Sequence, residues 1–100
     1  MLFSQNGPWD AWINGQPYKG HHEKTFEVQE PSTGNALATV AELDGEDLGY
    51  AVSVARTAFD DGRWANLSAT ARGKVLLKMA QLILGNARDI AEWETRQSGK

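Results

Sequence analysis

Apolar residues in the second half of the chain recur with helical spacing. Leu48, Val52, Ala55 and Phe59 follow at intervals of four, three and four, which places them on one helical face that Ala51 and Ala58 widen. Asp44 stands before this run as an N-cap, with Asp47 near the third helical position. Acids there also complement the positive end of the helix dipole. Asp60-Asp61-Gly62 ends the helix. A second helix follows a Ser68 cap, with a stripe of Leu76, Met79, Ala80 and Ile83 that Val75 and Leu82 broaden. So wide a stripe predicts contact with more than one neighbour. Gly73 inside it costs about 1 kcal/mol relative to Ala, which predicts a second backbone passing close by. Gly85 is read as the stop, and Asn86 as the cap of a third helix with Asp89 in its first turn. Ile90, Trp93 and Gln97 share one face of that helix, and Ser98-Gly99 ends it.

The first half alternates instead. Trp12-Ile13-Asn14-Gly15-Gln16-Pro17-Tyr18 predicts a hairpin, because both central residues of a type I′ turn need positive φ and Asn-Gly supplies them. Pro17 removes a ladder donor, so the second strand is expected at an edge. Thr25 to Glu30 alternates as one strand, Pro31-Ser32-Thr33-Gly34-Asn35 is a turn, and Ala36 to Ala41 forms the next strand with Leu37 and Val40 inward. The period of that last strand is imperfect. The expected fold class is therefore an α+β fragment, a short antiparallel hairpin or meander followed by three α-helices. Such a meander needs a helix over one face. Residues 1–11 lack any period and are expected to form a poorly ordered arm.

Composition narrows the function. One hundred residues make one small domain with a thin core. A hydrophobic content of 41% with 23% charged residues suits a globular chain. The net charge of -3, with Lys and Arg scattered, argues against a nucleic-acid partner. The longest apolar run is interrupted by Lys78 and Gln81 and is too short to span a bilayer. The N-terminus lacks the pattern of a signal peptide, so a cytoplasmic location is expected. The chain has no cysteine, which excludes disulfides and a cysteine nucleophile within it.

Each candidate for chemistry has a plainer reading. His21-His22-Glu23 is expected to be a solvated loop, because adjacent residues on a strand point to opposite faces and zinc needs three or four convergent ligands. The tryptophans are read as core and edge packing. Asn66-Leu67-Ser68 matches a glycosylation sequon but is more simply the start of a helix. The glycines form neither a GxGxxG nor a P-loop. Carboxylate pairs such as Glu42 with Asp44, or Glu92 with Glu94, have no His or Cys beside them in sequence and read as solvated faces. No catalytic residue is assigned.

An ordered set of short patterns changes the picture. They are Trp12-Ile13-Asn14-Gly15; Phe26-x-Val28-x-x-Pro31-Ser32-Thr33-Gly34; Leu37-Ala38-x-Val40-Ala41; Asp47-Leu48-x-x-Ala51-Val52 with Ala55-Arg56-x-Ala58-Phe59; and Gly62-x-Trp64. Ala71-Arg72-Gly73-x-x-Leu76-Leu77, Leu82-Ile83 and Glu94-Thr95-x-x-Ser98-Gly99-Lys100 complete the series. Taken together, residues 12–100 resemble the N-terminal segment of the aldehyde dehydrogenase superfamily.

The resemblance implies a full-length enzyme several hundred residues long, usually a homo-oligomer. It would oxidise an aldehyde to a carboxylic acid with NAD or NADP through a cysteine thiohemiacetal. The nucleophile, the glutamate that activates water and the cofactor contacts lie downstream in the family. Residues 12–100 are thus expected to be a scaffold portion of the cofactor-binding domain, silent alone and without a cofactor of its own. Met1 is read as a true start, and the family pattern is expected to continue past Lys100, so the remainder of the dehydrogenase chain is the implied partner. Some members hold a structural monovalent cation, and the positions corresponding to that site here are Val28, Gln29 and Gln97. The last is often Asp in the family, and a neutral Gln would hold a cation less strongly. The alternative is a self-contained α+β interaction module without catalysis.

Overall fold

The structure, a computed structural model, describes residues 7–99. In chain order the elements are β1 (Ala11–Ile13), β2 (Gln16–Tyr18), β3 (Thr25–Gln29), β4 (Ala36–Ala41), α1 (Gly45–Asp60), α2 (Ala69–Gly85) and α3 (Ala87–Ser98). The chain is an α+β fragment, as its sequence predicts. The strands form two separate antiparallel pairs, β1–β2 and β3–β4, and not one continuous meander. Asn14 and Gly15 sit at φ 59° and 74° in the first turn, as a type I′ geometry requires, with Ile13 opposite Gln16. Of the arm expected over residues 1–11, residues 1–6 lie outside the described residues. Trp9 donates its N–H to Thr39 and accepts from the N–H of Ala41, both at 2.8 Å, in a parallel bridge to β4.

The imperfect period of β4 has a structural cause. Val28 pairs with Ala38 but Gln29 pairs with Ala36, so Leu37 is an extra residue in a bulge. A bulge changes the facing of successive side chains. Here consecutive Leu37 and Ala38 both turn into the groove between the hairpin and α3, and they are the buried apolar side chains among the described residues. Helix α3 closes over them. Trp93 meets Trp9 edge to face at 6.1 Å, and Arg96 approaches Glu30 at 3.7 Å.

Caps set most of the helix boundaries. The Asp44 carboxylate accepts from the N–H groups of Glu46 and Asp47, and Asp47 returns a bond to the Asp44 N–H, closing a capping box. Ser68 Oγ accepts from Ala71 N–H at 3.1 Å. Asn86 departs from expectation. Its Nδ2 donates back to the Leu82 carbonyl at 2.8 Å, so it serves the end of α2 and gives α3 no side-chain cap. Gly73 departs as well: a Cβ there would meet nothing within 4 Å, so no other described backbone passes close.

Helices α1 and α2 stand largely bare. The face predicted on α1 is exposed, with Phe59 at 72%, and so is the stripe on α2, where Leu84 reaches 75%. The radius of gyration is 16.8 Å, against about 13 Å for a compact chain of this length. No helix among the described residues is long and apolar enough to cross a membrane.

Candidate functional site

Two features concentrate side chains that could act. The first is the groove between β3–β4 and α3, a cavity of about 650 Å³. Val28, Leu37, Ala38 and Val40 line it from the hairpin, Ile90, Trp93, Glu94 and Gln97 from α3, and Trp9 from the arm. Its walls are mostly hydrocarbon, and the polar groups sit on α3. Of the three residues corresponding to the family's cation position, Val28 and Gln97 face this one cavity. Gln29 lies at the bulge beside it and is not part of its lining.

The second feature is a polar knot around Asp47, the buried carboxylate at 2% exposure. The capping geometry of α1 aims Asp47 back toward the loop after β2. Its Oδ1 accepts from Tyr18 Oη at 2.6 Å and from the His21 N–H at 3.0 Å, and lies 2.9 Å from His21 Nδ1. Its Oδ2 accepts from the Asp44 N–H at 3.0 Å. Every carboxylate contact is thus with a donor, and the Tyr18 hydroxyl, followed by His21, holds Asp47 far below the usual carboxylate range against the effect of burial. The same hydrogen bond pushes Tyr18 up to about 12. His21 is raised, first by its bond to Asp47 and then, opposed by desolvation, by the charges of Asp44 and Glu46. Gly20 makes the approach possible. Its φ is +86°, and a Cβ there would lie 3.0 Å from the Leu43 side chain and 3.4 Å from Asp47 Oδ2.

His21, His22 and Glu23 are exposed in a turn, as a solvated loop requires, but the two imidazoles have partners there. His21 and His22 lie in a turn, not on a strand, so the opposite-face argument does not apply. Their rings lie 3.8 Å apart, and both Nε2 atoms approach Asp44 Oδ2, at 3.3 and 3.7 Å. Sequence reasoning read Asp47 as a first-turn acid and Tyr18 as an edge-strand residue. The available signal was chemical: an Asp at N3 of a capping box has one carboxylate oxygen to spare. A neighbouring pair of histidines some 26 residues away gives no local hint that it will find that oxygen.

Comparison with known proteins agrees over nearly the whole chain. The model of the aldehyde dehydrogenase family matches residues 18–100. Aldehyde dehydrogenase 1 of Tanacetum cinerariifolium is 48% identical over 89 residues, which cover 89% of this chain and 18% of that protein. Mitochondrial aldehyde dehydrogenase family 2 member B4 of Arabidopsis thaliana is 44% identical over 88 residues, 88% of this chain and 16% of the relative. The NAD+ complex of an aldehyde dehydrogenase from Bacillus cereus superposes with a TM-score of 0.85 at 35% identity, over 91% of this chain and 18% of that one. The chain thus spans less than a fifth of the length of each of these proteins.

Proposed function

The chain belongs to the aldehyde dehydrogenase family as an N-terminal segment, and we propose that it is the scaffold portion of an NAD(P)-dependent enzyme that oxidises an aldehyde to a carboxylic acid. The observation that carries this reading is the bare apolar surface of α1 and α2. A helix with apolar residues around most of its circumference is stable in water only when neighbours cover it. Leu76, Leu77, Leu82, Ile83 and Leu84 have no such cover among the described residues. The remaining four-fifths of a family chain would supply it. A self-contained interaction module is the weaker reading, because the extended shape leaves these faces open where a module of this size would close them.

The segment contributes no chemistry of its own in this reading. It has no cysteine to attack an aldehyde. It also offers a dinucleotide little. Anions favour bare helix N-termini, but Asp44, Glu46 and Asp47 occupy that of α1, the Ser68 side chain already caps that of α2, and Asp89 lies in the first turn of α3. These residues do not fit a pyrophosphate. A monovalent cation is a better match for the groove. The register shift between Val28 and Gln29 disturbs the ladder where the backbone carbonyls of these two residues would meet an ion, and Gln97 faces the same cavity as Val28. With a neutral amide in place of an acid, such an ion would be held weakly.

Two measurements test the proposal. Purified chain given a panel of aldehydes with NAD or NADP should produce no reduced nicotinamide, and turnover would overturn the claim of silence. An immunoblot of source cells against a peptide from residues 42–62 should reveal a product several times heavier than 11.0 kDa. A band at that mass alone would favour the module.

A further inference from the structure

We propose that His21, His22 and Asp44 form a binding site for one divalent transition-metal ion of the zinc class, at the junction of the loop after β2 and the N-terminus of α1. The argument is geometric. His21 Nε2 lies 3.3 Å from Asp44 Oδ2 and 3.1 Å from Glu46 Oε2, and His22 Nε2 lies 3.7 Å from the same Asp44 oxygen. One donor atom from each of His21, His22 and Asp44 falls within 4.8 Å of the others. A tetrahedron with metal–ligand bonds of about 2.0 Å has edges of about 3.3 Å, close to the 3.3 and 3.7 Å that separate the two imidazole Nε2 atoms from Asp44 Oδ2, and water would complete the shell.

The surroundings orient the donors. A carboxylate can only accept, so Asp47 Oδ1 at 2.9 Å takes the Nδ1 hydrogen of His21, and Nε2 faces Asp44 and Glu46, where a bound ion would replace the proton that these carboxylates otherwise share with it. A buried carboxylate behind a ligating imidazole is the usual outer support of a zinc histidine. Asp44 divides its work between its two oxygens: Oδ1 caps α1 and Oδ2 points at both imidazoles. The helix N-terminus by itself disfavours a cation, but the three carboxylates of Asp44, Glu46 and Asp47 outweigh its partial charge. Two imidazoles with carboxylate oxygens suit zinc, cobalt or nickel, and not calcium or magnesium, which prefer all-oxygen shells. The His22 side chain and Glu46 are exposed, so the ion can exchange with solvent.

The test is a titration of the full chain with Co2+, read by visible ligand-field absorption, followed by displacement with Zn2+. One equivalent of low-coordinate Co2+ per chain is expected, displaced by a stoichiometric amount of zinc. His22→Gln removes a ligand that lies outside the Asp47 knot and should weaken binding at least ~10-fold with unchanged circular dichroism. Asp44→Asn keeps a side chain that caps helices well but loses the anionic ligand, and should weaken binding similarly. No binding at micromolar metal would mean that the three groups are ion pairs only and would overturn the site. Equal binding by the wild type and both variants would overturn it as well, by placing the ion elsewhere.

Discussion

The N-terminal end of α1 and the length of α2 meet their surroundings in opposite ways. At α1, polar groups find partners within the chain: Asp47 has four close donor contacts, and Asp44 caps while facing two imidazoles. Along α2, Ser68 caps the start and Asn86 ties off the end, yet the apolar residues between them stay largely exposed. Hydrogen bonds are short-ranged and directional, so a few well-placed groups satisfy one another within the chain, by caps close in sequence and by the loop that brings Tyr18 and His21 onto Asp47. Apolar surface is non-directional and needs area to cover it, and on the proposed reading the rest of a dehydrogenase chain supplies the area for α2. The contrast separates what this segment specifies alone from what it specifies only as part of a larger body.

The sharpest way to break the comparison is to charge the bare face. Leu82→Asp in the isolated chain should change stability by no more than about 0.5 kcal/mol, as for a surface site. In a longer dehydrogenase chain carrying this segment, the same change would bury an unpaired carboxylate. A loss on the order of 5 kcal/mol, or failure to fold, is expected. Urea midpoints of the two contexts give the answer, and an equally small effect in both would mean that α2 faces water in the enzyme too.

On the closed side, Leu37→Ala should cost about 2–5 kcal/mol in either context, because Leu37 is 1% exposed within a groove that this chain builds itself. A much smaller loss in the isolated chain would show that α3 does not hold against the hairpin without help.

The knot gives a pH signature. An ionised Tyr18 would lose its bond to Asp47 and face that carboxylate as a like charge, which is why its pKa is pushed up to about 12 from 10.0. In the unfolded chain it titrates near the lower value. The stabilisation is therefore complete below pH 10 and is lost as pH rises through 12. The stability difference between wild type and Tyr18→Phe, measured in chelated buffer, should be flat from neutral pH to 10 and then shrink toward zero. A difference that stays constant through 12 would mean that the hydroxyl is not bonded to Asp47 in solution.

What was legible in the sequence follows the same divide. The Asn14–Gly15 turn, the Asp44 and Ser68 caps and the inward Leu37 are written in adjacent residues, and each stands where local rules place it. Leu48 to Phe59 was also correctly periodic, but periodicity says only that a face wants cover and not where the cover comes from. Asn86 stands at the N-cap position of α3, but an Asn between two helices can bond forward or back, and its amide donates to the Leu82 carbonyl. Gly73 suggested a close backbone, yet no described one lies near. The His21–Asp47 bond depends on Gly20 letting the loop descend onto α1, and no spacing rule encodes that descent.

The smallest expected effect tests how far α2 depends on its own ends. Ser68→Ala removes the side-chain bond to the Ala71 N–H and should cost about 1 kcal/mol. In the isolated chain α2 has little tertiary contact to compensate, so the loss should appear as fraying. Hydrogen exchange of the first-turn amides, Ala69 to Arg72, should quicken while amides around Leu37 keep their protection. In a full dehydrogenase chain, packing over Val75 and Leu76 would hold the same turn, and the acceleration should shrink. If the two contexts exchange alike, the first turn of α2 is held by its cap alone even in the enzyme, and the cover proposed for this helix must begin further along it.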